Sequence, residues 1–82
     1  MSDEIRDKVV GLVAERMGVE PEQITEATHF VNDLQSDSLD MAELVIDLEE
    51  GFDLTISDED AQKIETVGQA IEYIKQSQQQ SQ

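Results

Sequence analysis

The sequence predicts an all-α fold, a small four-helix bundle of three longer helices and one short helix with a long first connection. Apolar residues recur at helical spacing in three stretches, and no stretch makes a convincing strand. Capping residues precede several of the helical runs. At 82 residues the chain suits one small core, and without cysteine it holds neither disulfides nor thiolate metal sites.

The first helix is predicted over residues 3 to 17. Ser2 is its expected N-cap, with Asp3 and Glu4 in the first turn, where carboxylates suit the helix dipole. Gly18 is the expected stop, and Pro21 prevents a simple continuation. One face should turn to the core, formed by Ile5, Val9, Leu12, Val13 and Met17.

Residues 19 to 36 are predicted to form the long connection. A connection of this length in a compact domain usually is functional or carries short turns of its own. The only histidine, His29, lies here and is interpreted as a loop residue rather than a catalytic base. The side chains expected to anchor the connection inward are Ile24, Phe30, Val31 and Leu34.

The second helix is predicted from about residue 38 to 51, ending at Gly51. Ser57 then offers a cap for a short helix that contains Ala61 and Ile64. Both helices should contribute apolar side chains to the same core.

Thr66 and Gln69 form a capping box that opens the last helix. The polar, glutamine-rich residues 76 to 82 are predicted to be a disordered tail, which leaves residues 1 to 75 as the single domain. The inward residues of the last helix should be Val67, Ala70, Ile71 and Ile74.

The charge balance is strongly acidic. Twenty acids against five bases give a formal net charge of −15, and nothing basic lies between Arg16 and Lys63. Such a surface repels nucleic acid and anionic membranes, and it attracts proteins that carry lysine and arginine patches. With no apolar run of membrane-spanning length and an acidic N-terminus unlike a signal peptide, we expect a cytoplasmic protein with no membrane insertion.

The second helix shows two apolar faces in its pattern. Its core stripe should be Met41, Leu44, Val45 and Leu48, at i, i+3, i+4 and i+7. A second apolar line comprises Leu39, Ala42 and Ile46. Acids flank that line, namely Asp40, Glu43, Asp47 and Glu50 on one side and Glu49 on the other. Stacked like charges weaken a helix, so a helix with a purely structural role would avoid them. Two interpretations of the second apolar line stay open: it packs as extra core, or it is a docking strip for partners, with acids along its edges.

Ser38 lies at or next to the start of this helix, with Asp37 as its expected N-cap residue and Asp40 near position N3. Spacing alone favours a capping hydroxyl, although a helix start also suits an attached phosphate. A hydrolase is excluded because the chain has no G-x-S-x-G elbow, and carboxylates are poor neighbours for an oxyanion. An EF-hand calcium loop is excluded because the ligand spacing is wrong.

The stretches "FVNDL" (30 to 34), "DSLD" (37 to 40) and "ELVIDLEEGFDLTI" (43 to 56) resemble the acyl carrier proteins of dissociated, type II fatty-acid synthesis. The likeness extends from the first helix through "TVGQAIEYI" (66 to 74). It implies a free-standing carrier, not an enzyme, whose Ser38 bears 4'-phosphopantetheine through a phosphodiester. Growing acyl chains would travel as thioesters on that arm, sheltered between the helices and delivered to fatty-acid biosynthesis enzymes.

The resemblance also assigns the docking role, because the family's recognition helix follows the modified serine. The implied partner surface is Asp37, Leu39, Asp40, Ala42, Glu43, Ile46, Asp47, Glu49 and Glu50. The implied partners are a phosphopantetheinyl transferase (holo-carrier synthase), malonyl transferase, ketosynthases, reductases, dehydratases and acyltransferases with basic patches. The carrier itself is expected to be a monomer with no metal site.

The chain departs from the family pattern at two positions. Gln35 replaces the usual glycine two residues before the motif aspartate, which removes backbone freedom just ahead of Ser38. Asp47 adds a charge where the family commonly has a small or apolar residue. Two alternatives to the fatty-acid carrier stay open: a free-standing polyketide-type carrier, and an acidic interaction module without a prosthetic group.

Overall fold

A computed structural model describes residues 4 to 80 of the chain. The helices are α1 (Glu4–Met17), α2 (Ser38–Phe52), α3 (Asp58–Lys63) and α4 (Val67–Gln80), with a 3-10 turn at Pro21–Gln23. The predicted all-α bundle of three longer helices and one short helix is confirmed. The expected cap Ser2 and first-turn Asp3 lie outside the described residues.

The core is built by α1, α2 and α4, with the connection and the segment around α3 closing it. Leu44 and Leu48 carry the inward stripe of α2 and are almost fully buried, while Met41 and Val45 are half-buried at its edge. The buried apolar set is Val9, Val10, Val13, Ala14, Ile24, Phe30, Leu44, Leu48, Ile56, Ile64, Val67, Ala70, Ile71 and Ile74.

Helices α1 and α2 run antiparallel in close contact. Lys8, early in α1, donates to the carbonyl of Gly51 near the end of α2, and Arg16, late in α1, contacts the middle of α2. The Lys8 ammonium also lies 5.1 Å from the centre of the Phe52 ring, and a cation at a helix C-terminus complements its dipole. Two of the three cationic side chains of α1, Lys8 and Arg16, therefore lie against the acidic helix α2.

The prediction that α2 ends at Gly51 is wrong by one residue. Gly51 is helical and packs against α1, because a Cβ there would lie 3.0 Å from Cδ1 of Leu12. The left-handed residue that ends α2 is Asp53, with φ of 54°. Gly18 ends α1 as predicted, at φ of 70°, with the Val19 amide donating to the Ala14 carbonyl.

The connection buries Ile24 and Phe30 as predicted, and Leu34 is half-buried against the core. Val31 contradicts the prediction, because 53% of it is exposed. It lies in a tight turn where its amide donates to Nδ1 of His29 at 3.3 Å. The turn points Phe30 inward and leaves its neighbour to solvent.

The capping residues around α3 and α4 are confirmed. The Ser57 hydroxyl accepts the Asp60 amide at 3.1 Å, and Thr66 and Gln69 exchange the reciprocal bonds of a capping box. Ile64 is buried but lies just beyond α3 rather than within it. The Tyr73 hydroxyl donates to Oδ2 of Asp60 at 2.9 Å and ties α3 to α4.

The C-terminal segment differs from the sequence prediction of disorder from residue 76. Helix α4 continues through Gln80, and residues 81 and 82 lie outside the described part of the chain. Glutamine is a good helix former, so a helix that is already anchored by buried residues can extend through such a sequence. None of the helices described between residues 4 and 80 is long and apolar enough to cross a membrane.

Gln35 has a left-handed backbone, with φ of 57°, and this conformation generates the first stability prediction. In the folded protein, a residue with a side chain is about 1 kcal/mol or more less stable than glycine in that backbone conformation. Glycine in turn makes the unfolded chain more favourable by roughly 0.5–1 kcal/mol through its greater conformational entropy. We expect Gln35→Gly to raise the free energy of unfolding slightly, by about 0.5 kcal/mol in urea titrations. The control Gln62→Gly, in the exposed part of α3, should lower it by about 1 kcal/mol. Equal losses in both variants would show that Gln35 is not strained.

Tyr73 is the only tyrosine in the chain, so the absorbance of its phenolate reports on this residue alone. Burial, and then the hydrogen bond to Asp60, raise the pKa of Tyr73 above its ordinary value. The neutral phenol is thus favoured by folding, and its stabilisation is present below about pH 10 and lost as pH rises through the higher folded pKa. Phenolate absorbance should titrate at higher pH in the native protein than in urea. Asp60→Asn should reduce the difference between these two titration midpoints. Coincident native and unfolded titrations would contradict the contact.

Candidate functional site

Ser38 is the first residue of α2, and its side chain is exposed. Asp37 is the N-cap, and its Oδ1 accepts the Asp40 amide at 2.9 Å. Oδ2 of Asp40 in turn accepts the Asp37 amide at 3.4 Å, which completes a capping box. The predicted roles of Asp37 as cap and Asp40 at N3 are confirmed, and they hold the serine at a defined helix start.

Ser36 has a different environment, although it lies only two residues earlier. It is 5% exposed, its hydroxyl donates to Sδ of Met17 at 3.2 Å, and its amide donates to the Phe30 carbonyl at 3.0 Å. Ser36 therefore helps fasten the connection to α1. Of the two serines beside Asp37, Ser36 is buried, and Ser38 is exposed and therefore accessible to a large reactant.

The connection that leads to Ser38 is fixed on the junction between α3 and α4. The Phe30 amide donates to the Glu65 carbonyl, and the Val67 amide donates to the Thr28 carbonyl, both at 3.0 Å. Gly68 allows the closest approach, since a Cβ there would lie 2.9 Å from the carbonyl oxygen of Glu26. These backbone contacts position the start of α2 relative to the rest of the bundle.

A cavity of about 880 Å³ opens beside Ser38 and extends between α2 and the α3 segment. Its walls are largely apolar and include Met41, Val45, Ile56, Ala61 and Ile64. On the same wall, Oε2 of Glu49 accepts the Ile56 amide at 2.8 Å. A volume of this size can hold a flexible organic chain, and the apolar walls suit an aliphatic one.

The second apolar line of α2 faces solvent. Leu39 is 67% exposed and Ile46 is 50% exposed, and Ala42 between them is exposed as well. The interpretation of this line as extra core is therefore wrong. Val31 lines the cavity together with Ala42 and Ile46.

The acids around that line divide into two groups. Asp37, Asp40 and Glu50 surround the apolar line without an arginine contact among the described ion pairs of residues 4 to 80. Asp47 instead accepts two hydrogen bonds from Arg16, at 2.7 and 2.9 Å. Sequence reasoning missed Arg16, because no pattern in α1 indicates which residue of α2 it meets.

The arginine contact has a second, looser member in Glu43, whose Oε1 lies 3.8 Å from Nη1 of Arg16. The pKa of Arg16 is raised, foremost by its hydrogen bond to Asp47 and with smaller contributions from the charges of Asp47 and Glu43. Among residues 4 to 80, no group of three or more histidine, aspartate or glutamate side chains is arranged to hold a metal ion.

The local geometry suits a phosphopantetheine arm. The Ser38 hydroxyl is exposed at a helix N-terminus, where the dipole favours an anionic phosphodiester. The adjoining apolar cavity can receive a chain carried on such an arm. The residues present therefore fit the group that the sequence resemblance implies.

Comparisons with known proteins agree with this geometry. The family model described as the phosphopantetheine attachment site matches residues 7–74. The acyl carrier protein of Lactobacillus johnsonii is 46% identical over 76 residues, covering 93% of this chain and 95% of the relative. The solved structure of the acyl carrier protein from Enterococcus faecalis superposes with a TM-score of 0.75 at 42% identity, covering 87% of this chain and 90% of that one. The chain therefore belongs to the acyl carrier proteins, which bear 4'-phosphopantetheine, carry acyl groups in fatty-acid synthesis and are not enzymes.

Proposed function

We propose that Ser38 is the residue that carries 4'-phosphopantetheine, and that the acyl chain on its terminal thiol shelters in the cavity beside it. The observation that carries this proposal is the exposed hydroxyl at the start of α2, next to an apolar cavity of about 880 Å³. When bound, the prosthetic group supplies the thiol that forms thioesters, since the chain has no cysteine of its own.

The residues around Ser38 each have a definite task in this proposal. Asp37 and Asp40 fix the helix start through their capping box, so that the attachment oxygen has a constant position. Their carboxylates also add negative charge where a transferase with a basic patch would dock. Met41 and Val45 form the apolar wall against which an aliphatic chain would lie.

The partner surface proposed is the outward face of α2. Its apolar part is Leu39, Ala42 and Ile46, to which we add Val31 because it is exposed. Its acidic rim is Asp37, Asp40, Glu43, Asp47, Glu49 and Glu50. An apolar centre with a charged rim is the usual composition of a transient protein interface, and the rim speeds association with basic partners.

The proposal includes particular partners. They are a phosphopantetheinyl transferase, a malonyl transferase, ketosynthases, reductases, dehydratases and acyltransferases, each presenting a basic patch to α2. We also propose that this carrier works in the cytoplasm as a monomer. The carrier domain is proposed to comprise residues 1 to 75.

The attachment site has a direct test with a matched control. Incubation with a phosphopantetheinyl transferase and coenzyme A should add one phosphopantetheine group to the intact mass of the wild-type chain. Ser38→Ala should abolish the gain, because its hydroxyl is the attachment atom. Ser36→Ala should retain it, since Ser36 is buried against Met17. A mass gain that survives Ser38→Ala, or that needs Ser36, would overturn the assignment.

A further inference from the structure

Arg16 lies in the middle of the acidic rim rather than at its edge. Four acids form a line along α2, Asp40, Glu43, Asp47 and Glu50, and Arg16 of α1 contacts the two central ones. Asp40 and Glu50 lie ten residues apart on one helix, a distance of about 15 Å at 1.5 Å per residue. This length exceeds the screening distance of about 8 Å at physiological ionic strength, so the two ends act as separate charges towards a partner.

Arg16 donates a hydrogen bond to each of the two carboxylate oxygens of Asp47. Nε and Nη2 of Arg16 reach the two different oxygens of Asp47 at 2.7 and 2.9 Å, the side-by-side geometry in which arginine binds carboxylates most strongly. The Asp47 side chain is only 24% exposed, against 45% for Glu43. A partner's lysine could not match this two-point contact, and on approaching Asp47 it would meet the positive charge of Arg16.

We propose that Arg16 is a specificity-determining residue of the docking face: it neutralises Asp47 and divides the acidic rim into two anionic ends. Arg16 carries one positive charge and holds Asp47 closely but Glu43 only at 3.8 Å, so Glu43 keeps its charge towards partners. Basic residues of a partner are then attracted to Asp37, Asp40 and Glu43 at one end and to Glu50 at the other. Asp47 lies within the surface that a partner covers, but because Arg16 compensates its charge, it adds no net attraction for a partner's basic residues. Partners are selected by whether their basic residues match that interrupted spacing, a restriction that a continuous acidic rim would not impose.

This inference rests on the proposed docking surface, and a set of charge-neutralising variants tests it. The probe is a phosphopantetheinyl transferase with a basic patch, and the readouts are its association rate constant and Kd for the full-length carrier at about 0.15 M salt, where charges are screened over about 8 Å. The variants are Arg16→Gln, Asp47→Asn, their double combination, Glu50→Gln and the control Arg6→Gln.

Arg16→Gln should speed association about twofold and tighten Kd, because it exposes the charge of Asp47 to the partner. Arg6→Gln makes the same change in net charge, from −15 to −16, but Arg6 lies near Glu26 and should have a smaller effect. Asp47→Asn alone should slow association, since it leaves the charge of Arg16 uncompensated.

The double variant decides the question. If the pair is already neutral towards partners, removing both charges should leave the wild-type rate and Kd unchanged. A double variant weakened as much as Glu50→Gln would show that the partner binds Asp47 directly and would overturn the inference. Equal acceleration by Arg16→Gln and Arg6→Gln would overturn it too, because the effect would then come from net charge. If Glu50→Gln and added salt both leave binding unchanged, the docking surface itself is wrong, which is a separate failure.

Discussion

The antiparallel packing of α1 against α2 is the constraint on which the rest of this structure depends. It buries the stripe of Leu44 and Leu48, and so it turns the opposite apolar line of α2 to solvent. The same packing brings α1 to the residues just before α2, where Sδ of Met17 accepts a hydrogen bond from the hydroxyl of Ser36. Because Ser36 is buried, the chain reaches the surface at Asp37, and Ser38 begins α2 exposed to solvent.

The contact also moderates a charge distribution that is unfavourable for folding. A net charge of −15 on 82 residues disfavours the compact state through self-repulsion, and α2 concentrates much of that charge on one helix. Lys8 and Arg16 meet α2 near its end and in its middle, so two of the five bases of the chain lie against this acidic helix. Within residues 4 to 80, the acids of α2 outside the contact with Arg16 are those beside Ser38 and near the end of the helix, where we propose that a basic partner docks.

The sequence could predict the helices, the caps and the position of Ser38, because periodicity and capping are local properties. It could not predict features set by contacts between distant segments. Val31 was expected inside, but the turn around His29 points it outward. Gly51 looked like a helix stop and is instead a close contact with Leu12. Arg16 gave no sign of its role, since its partner lies 31 residues away.

Helix α2 is proposed to hold stability on one face and recognition on the other, and paired truncations of that helix test this separation. Urea unfolding and the Kd for a phosphopantetheinyl transferase would be measured for Leu44→Ala and Ile46→Ala. Leu44→Ala should cost about 2–5 kcal/mol of unfolding free energy, or unfold the chain, with unchanged Kd for any folded fraction. Ile46→Ala should change stability by less than about 0.5 kcal/mol yet weaken binding by about 1 kcal/mol or more. An Ile46→Ala variant that loses stability like Leu44→Ala, or that binds like the wild type, would contradict the account.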